Sequence, residues 1–127
     1  MTTGVVLLNF GEPANPERGA VVEFLYRIFL ANARLESVDT DEERRERARE
    51  LAERRAPGLI EEYEAIGGSP LNEQSVAQAD GLEAALRARG FDATIYVGMQ
   101  YTEPTVEDAA AAARDDGVDR LVALPGY

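Results

Sequence analysis

Apolar positions along this chain follow two rhythms. Val5-Val6-Leu7-Leu8, residues 91–97 and residues 118–124 are short apolar runs rich in β-branched side chains, bounded by glycine, proline or acidic residues. Such runs predict three buried strands of a parallel sheet. Between the first and second, apolar residues recur at helical spacing. Asn15-Pro16 is predicted to open a helix, with Asn15 as N-cap and Pro16 in the first helical position. Val21, Val22, Leu25, Ile28 and Phe29 would form its buried face. Residues 41–55 carry acid-first charge pairs four apart (Asp41 with Arg45, Glu43 with Arg47, Glu50 with Arg54) and a thin apolar stripe of Ala48, Leu51 and Ala52. That pattern predicts a solvated helix lying across the domain rather than a partner-binding one. Pro57-Gly58 is expected to break it, and Leu59, Ile60 and Tyr63 to begin another short helical segment.

Gly67-Gly68-Ser69-Pro70-Leu71 reads as a loop turning into a helix: the glycines permit positive φ, Ser69 can cap, and Pro70 fits the first turn. Val76, Ala79, Leu82 and Leu86 supply the expected buried stripe, and Gly90 the stop. Residues 104–114 make a further, alanine-rich helix, ended by Asp115-Asp116-Gly117. The order β, helices, β, α, β predicts an α/β fold of Rossmann-like type, a parallel sheet with right-handed crossovers flanked by helices, over a single domain of residues 1–127. Pro125-Gly126-Tyr127 follows the last strand directly. A parallel strand with no helix after it leaves a sheet face poorly covered, so the expectation is an incomplete N-terminal lobe with an exposed apolar patch.

Composition narrows the chemistry. Hydrophobic residues make up 45% and charged residues 29% of the 127, the balance of a globular domain. No apolar run has the length to cross a bilayer and no basic leader precedes the first strand, so the expected location is the cytoplasm. Acidic residues outnumber basic ones 24 to 13, a net charge of −11 that disfavours nucleic acid as a partner. There is no cysteine and no histidine. Metal handling would therefore fall to carboxylates, tyrosines or backbone groups, which suit hard cations, and no residue is assigned as metal ligand or catalytic base.

Ligands of open α/β sheets bind beyond the carboxyl ends of the strands. Here those ends are residues 9–13, 98–101 and 124–127, and they bring three aromatics (Phe10, Tyr101 and Tyr127) to one edge. The loop of residues 67–71 opens a helix whose N-terminus can hold an anion. The residues alone thus point to a site for something planar or anionic, although such aromatics are more often ordinary core or rim residues.

Four motifs at these positions resemble the ferrochelatase family. They are Val6-Leu7-Leu8-Asn9-Phe10-Gly11-Glu12-Pro13, Tyr63-Glu64-Ala65-Ile66-Gly67-Gly68-Ser69-Pro70-Leu71, Gly98-Met99-Gln100-Tyr101-Thr102-Glu103-Pro104, and Leu121-Val122-Ala123-Leu124-Pro125-Gly126-Tyr127. They occur in the family's order and cover the whole chain; Gln100 departs from the more usual arginine. The resemblance implies a chelatase-like fold of two Rossmann-like lobes, this chain being the N-terminal one, that insert ferrous iron into a porphyrin. Porphyrin and iron would be substrates, with no cofactor in this chain. By the same resemblance Phe10, Gly11 and Pro13 line the cleft, Ser69, Pro70 and Leu71 shape its wall, and Tyr101 contacts or supports it. Phe10 stands where some members place a tyrosine, and residues 24–30 resemble the members with an apolar lip, which favours protoporphyrin IX over coproporphyrin III. The family's histidine base and its paired glutamate have no counterpart here. The missing C-terminal lobe is the implied partner, peripheral membrane contact is left open, and a non-catalytic porphyrin- or anion-binding single lobe is the alternative.

Overall fold

A computed structural model of the chain describes residues 1–33 and 40–127. The elements are β1 (Thr3–Asn9), α1 (Arg18–Ala31), α2 (Asp41–Ile66), α3 (Leu71–Ala88), β2 (Ala93–Met99), α4 (Val106–Asp115) and β3 (Arg120–Pro125). They fall into two compact units: residues 1–11 with 70–127, and residues 12–69.

The first unit is a three-stranded parallel sheet in the order β2-β1-β3. Val5 sits opposite Ile95 on one side and Val122 on the other, and Leu7 lies between Val97 and Leu124. The central strand carries the buried run Val5, Val6 and Leu7, each side chain contributing about 1.5–3 kcal/mol of burial energy. Because β2 and β3 flank β1 on opposite sides, right-handed crossovers send α3 and α4 to opposite faces of the sheet. Gly98 lets α4 come close: a Cβ there would lie 2.9 Å from Val6 Cγ1 and 3.2 Å from the Val106 Cα. The start of α4 is fixed by a capping box, in which Thr105 Oγ1 accepts from Asp108 N and the Asp108 carboxylate accepts from Thr105 N, each at 3.0 Å. β3 is different in kind. All six of its residues are exposed, with Leu121 at 47%, Val122 at 44% and Leu124 at 40%.

The second unit is a helical hairpin. Val21, Val22 and Leu25 of α1 pack against Ala52 and Ala56 of α2, with Phe24, Tyr26, Phe29, Leu59 and Ile60 around them. Alanine at the seam lets the two helix axes approach closely. Thr40 caps α2 by accepting from Glu43 N at 3.1 Å, and Asp41, Glu42 and Glu43 lie in the first turn, where the helix dipole favours negative charge. The outer face of α2 carries Glu50–Arg54 at 2.7 Å and Arg47–Glu50 at 3.3 Å, while Asp41 pairs with Arg44 rather than Arg45.

Several boundaries differ from the sequence expectation. Pro57 does not break the helix; α2 runs through it to Ile66. The apolar face continues across the proline as Ala52, Ala56, Leu59 and Ile60, and packing of that face holds the backbone helical. Pro57 and Glu53, whose carbonyl loses its donor, are both exposed. Helix α1 starts at Arg18 with Glu17 as N-cap, and Asn15 instead accepts from Glu17 N at 2.9 Å in an Asx turn. On α3 the buried positions are Ser75 and Ala79, and Val76 is exposed; Ser75 Oγ donates to Leu71 O at 2.9 Å, which lets a hydroxyl occupy the core face. β2 starts at Ala93, leaving Phe91 outside the strand and exposed.

Candidate functional site

The chain leaves β1 at Asn9, and three backbone interactions decide where the next residues go. The Asn9 carbonyl accepts from Gln100 N at 2.9 Å, the Phe10 carbonyl from Tyr101 N at 3.1 Å, and the Leu8 carbonyl from Gly126 N at 2.8 Å. All three strand exits are thereby tied to one another. Asn9 Oδ1 also accepts from Phe10 N at 2.9 Å, which fixes the turn out of the strand.

This knitting assembles an aromatic cluster. The Phe10 ring stacks on Tyr127 with centroids 4.4 Å apart and planes 27° apart, and on Tyr101 at 6.1 Å and 14°. Phe10 is 45% exposed and Tyr127 67% exposed, so the stacked cluster reaches solvent at the carboxyl edge of the sheet.

Gly11 makes the arrangement sterically feasible. Its φ is +82°, and a Cβ there would collide with Thr102 Cγ2 and lie 3.3 Å from Met99 Cβ. Thr102 and Met99 are buried beneath it. At Gly126 the space is tight but the backbone is ordinary, a Cβ there lying 3.2 Å from Leu8 O. Gly126 N donates to the Leu8 carbonyl, the regular parallel-ladder bond for Leu8 opposite Pro125, and the next residue, Tyr127, stacks on Phe10.

Of the residues singled out by sequence, Phe10, Gly11 and Tyr101 come together in the first unit. Pro70 and Leu71 belong to the same unit, Pro70 as N-cap of α3 and Leu71 as its first residue. Pro13 and Ser69 lie at the two ends of the helical hairpin, Pro13 buried and Ser69 half-buried. Ser69 does not cap α3; Pro70 holds that position with no side-chain cap bond. The glycines before it close α2 instead: Gly67 N donates to Glu64 O at 3.2 Å and Gly68 N to Tyr63 O at 2.8 Å, a Schellman pair requiring φ of +76° and +94°.

Two features of the hairpin escape a reading of residue types alone. Glu12 is buried although it sits in a polar loop. Burial, together with the carboxylates of Glu12 and Glu62, raises the Tyr63 phenol above its ordinary 10.0 and keeps it a hydrogen-bond donor. The only sequence signal for this pair is an acid between Gly11 and Pro13. Elsewhere on the hairpin, Arg49 lies 4.1 Å from the Tyr26 ring centroid and 3.8 Å from Glu23, in an open groove also lined by Arg45, Glu46, Glu50 and Glu53. Among the described residues no group of three or more His, Cys, Asp or Glu side chains is placed to hold a metal ion. Nor is any described helix long and apolar enough to cross a membrane.

Known proteins match this chain along its whole length. The family model described as Ferrochelatase covers residues 2–127. The ferrochelatase of Synechococcus sp. (strain JA-3-3Ab) is 40% identical over 126 residues, which is 98% of this chain and 36% of that protein. The ferrochelatase of Gloeobacter violaceus is 40% identical over 125 residues, 98% of this chain and 37% of its own length. That of Parasynechococcus marenigrum is 39% identical over 125 residues, 98% and 31%. The chain spans about a third of the length of the curated relatives it matches. By this match, with the α/β sheet described above, the chain belongs to the ferrochelatase family.

Proposed function

We propose that this chain is one porphyrin-facing lobe of a ferrochelatase, and that it binds the macrocycle without inserting iron by itself. The observation that carries the reading is the stacked cluster of Phe10, Tyr101 and Tyr127 at the carboxyl edge of the sheet. A porphyrin is a flat conjugated ring with carboxylate arms, and exposed aromatic rings held by backbone ties offer it a preformed surface. Porphyrin and ferrous iron enter as substrates; the chain supplies the platform.

Metal insertion exchanges two pyrrole protons for the cation, so a base must stand near the nitrogens. The chain has no histidine, and the cluster itself holds one phenylalanine and two tyrosines. The base is therefore expected from the part of the relatives' length that this chain does not span, in a second lobe across the cleft. The exposed β3 supports the same view, since a strand rich in Leu and Val normally has cover.

Protoporphyrin IX is favoured over coproporphyrin III, because Phe10 is apolar and Gln100 offers no cation to an additional carboxylate. The absence of histidine also favours a second reading, in which the lobe is a porphyrin-binding module without catalysis. Both readings are tested by titrating porphyrin into the chain and then adding ferrous iron anaerobically, with Phe10→Ala alongside. Binding that depends on Phe10 supports the platform. Porphyrin binding unchanged in Phe10→Ala refutes it, and iron insertion at an enzyme-like rate refutes the need for a second lobe.

A further inference from the structure

We infer that Glu83 closes the β2 edge of the sheet against a second copy of this chain. The strand order β2-β1-β3 places β2 outermost among the described residues. An outer strand presents a row of N–H and C=O groups that another strand can take up. β2 reads Ala-Thr-Ile-Tyr-Val-Gly-Met, seven residues with no charge and no proline. A run of this kind, rich in β-formers, pairs readily with an identical one, so a second copy is the partner that this edge fits.

The ladder shows which backbone groups face outward. Thr3 N donates to Asp92 O and Gln100 N to Asn9 O, each at 2.9 Å, so Asp92 and Gln100 both bond towards β1. Bonding residues alternate along a parallel strand, which turns the backbone groups of Ala93, Ile95, Val97 and Met99 outward. Two of these outward donors are taken up from within the chain. Met99 N donates to Pro104 O at 2.7 Å, and Thr105 forms a parallel bridge beside Met99. Ile95 N, in the middle of the strand, donates to the Glu83 carboxylate of α3 at 2.9 Å. One turn further along α3, Arg87 donates to Thr94 Oγ1 at 3.3 Å. Thr94 shares its sheet face with Gly98, against which α4 packs, so the Arg87 side chain passes over the strand's edge. An incoming strand thus meets an occupied donor at Ile95 and a carboxylate in its path, and an identical strand brings a carboxylate of its own.

The experiment compares the 127-residue chain with Glu83→Ala and Glu83→Gln, each dilute and concentrated, by sedimentation velocity and by NMR hydrogen exchange at the Ile95 amide. In the wild type that amide is protected to the same degree at both concentrations. In dilute Glu83→Ala it exchanges at least about tenfold faster, the loss of one hydrogen bond to a charged acceptor. When Glu83→Ala is concentrated, the chain associates and the amide regains protection. Glu83→Gln keeps a side-chain oxygen that accepts, and behaves as the wild type. Association through any other surface is common to all three chains and leaves the Ile95 amide unmoved. Glu83→Ala that does not associate, or that associates without protecting Ile95, overturns the inference, as does association of Glu83→Gln through the same amide. A wild-type Ile95 amide that exchanges as fast as an unbonded one overturns it as well, and that measurement stands even where Glu83→Ala does not fold.

Discussion

Alanine at position 11 is the smallest change that should disturb both stability and the platform. Two costs combine. The backbone there has φ of +82°, where a Cβ costs about 1–2 kcal/mol in an L-residue. The new methyl also collides with Thr102 Cγ2 and presses on Met99, in a spot where neither neighbour is exposed, and such overpacking costs about 1–3 kcal/mol. Together they predict a loss of about 2–5 kcal/mol, which at a urea m-value of about 2 kcal/mol/M lowers the midpoint by about 1–2.5 M. The assay is urea unfolding followed by far-UV circular dichroism. A second substitution separates the two costs. Thr102→Ser removes the colliding methyl at about 1 kcal/mol by itself, and in the Gly11→Ala background it should recover most of the steric part while leaving the backbone strain. A Gly11→Ala unfolding free energy within about 0.5 kcal/mol of wild type would refute the reasoning. So would strict additivity of the two substitutions, since the collision would then not be what the methyl meets.

Other consequences are equally direct. Ala52→Leu places a large side chain in a seam where Ala52 is 0% exposed, and should destabilise the hairpin by about 1–3 kcal/mol in the same urea assay. Thr105→Ala removes the hydroxyl that accepts from Asp108 N in the capping box of α4 and should cost about 0.5–2 kcal/mol at neutral pH. The Thr105 amide and hydroxyl hold the Asp108 carboxyl below its ordinary 3.8, so that contribution is present above 3.8 and lost as pH falls through the lowered value. An acid-unfolding curve should therefore differ less between Thr105→Ala and wild type at the lowest pH than at neutral pH. Burial, and then the 2.6 Å hydrogen bond to Asp116, push the Tyr96 phenol up to about 12. The stabilisation this represents is full below pH 10.0 and disappears as pH rises through about 12. A phenolate absorbance titration should show a late step from Tyr96, moved to lower pH in Asp116→Asn.

The element order could be read from the sequence because each strand is a dense apolar run and each helix carries at least a partial stripe. What could not be read depends on packing between elements. Pro57 carries a strong local signal for a break, and only the neighbouring helix α1 supplies the contacts that outweigh it. Val76 and Ser75 differ by one step around α3; hydrophobicity picks the valine, whereas the fold buries the serine because its hydroxyl bonds to the Leu71 carbonyl one turn back. The capping box at Thr105 was in plain view as Thr-x-x-Asp before an alanine run, and it places the start of α4 better than Pro104 does. For the site, the rule that ligands gather at the carboxyl ends of strands brings Phe10, Tyr101 and Tyr127 to one edge. Their actual stacking depends on carbonyl–amide ties between loops more than 90 positions apart in places, as between Asn9 and Gln100, which no local pattern encodes. Glu12 shows the limit from the other side, because its burial follows from the loop's path and not from its residue type.

The central claim is that Phe10 anchors a porphyrin platform in a lobe that lacks its own base. The most direct test is anaerobic absorbance spectroscopy of the chain with protoporphyrin IX, before and after ferrous iron, in wild type and Phe10→Ala. The expected result is a shifted porphyrin band in wild type that Phe10→Ala loses, with no conversion to haem in either. A band shift indifferent to Phe10, or haem formed by the wild-type chain at an enzyme-like rate, would contradict the account.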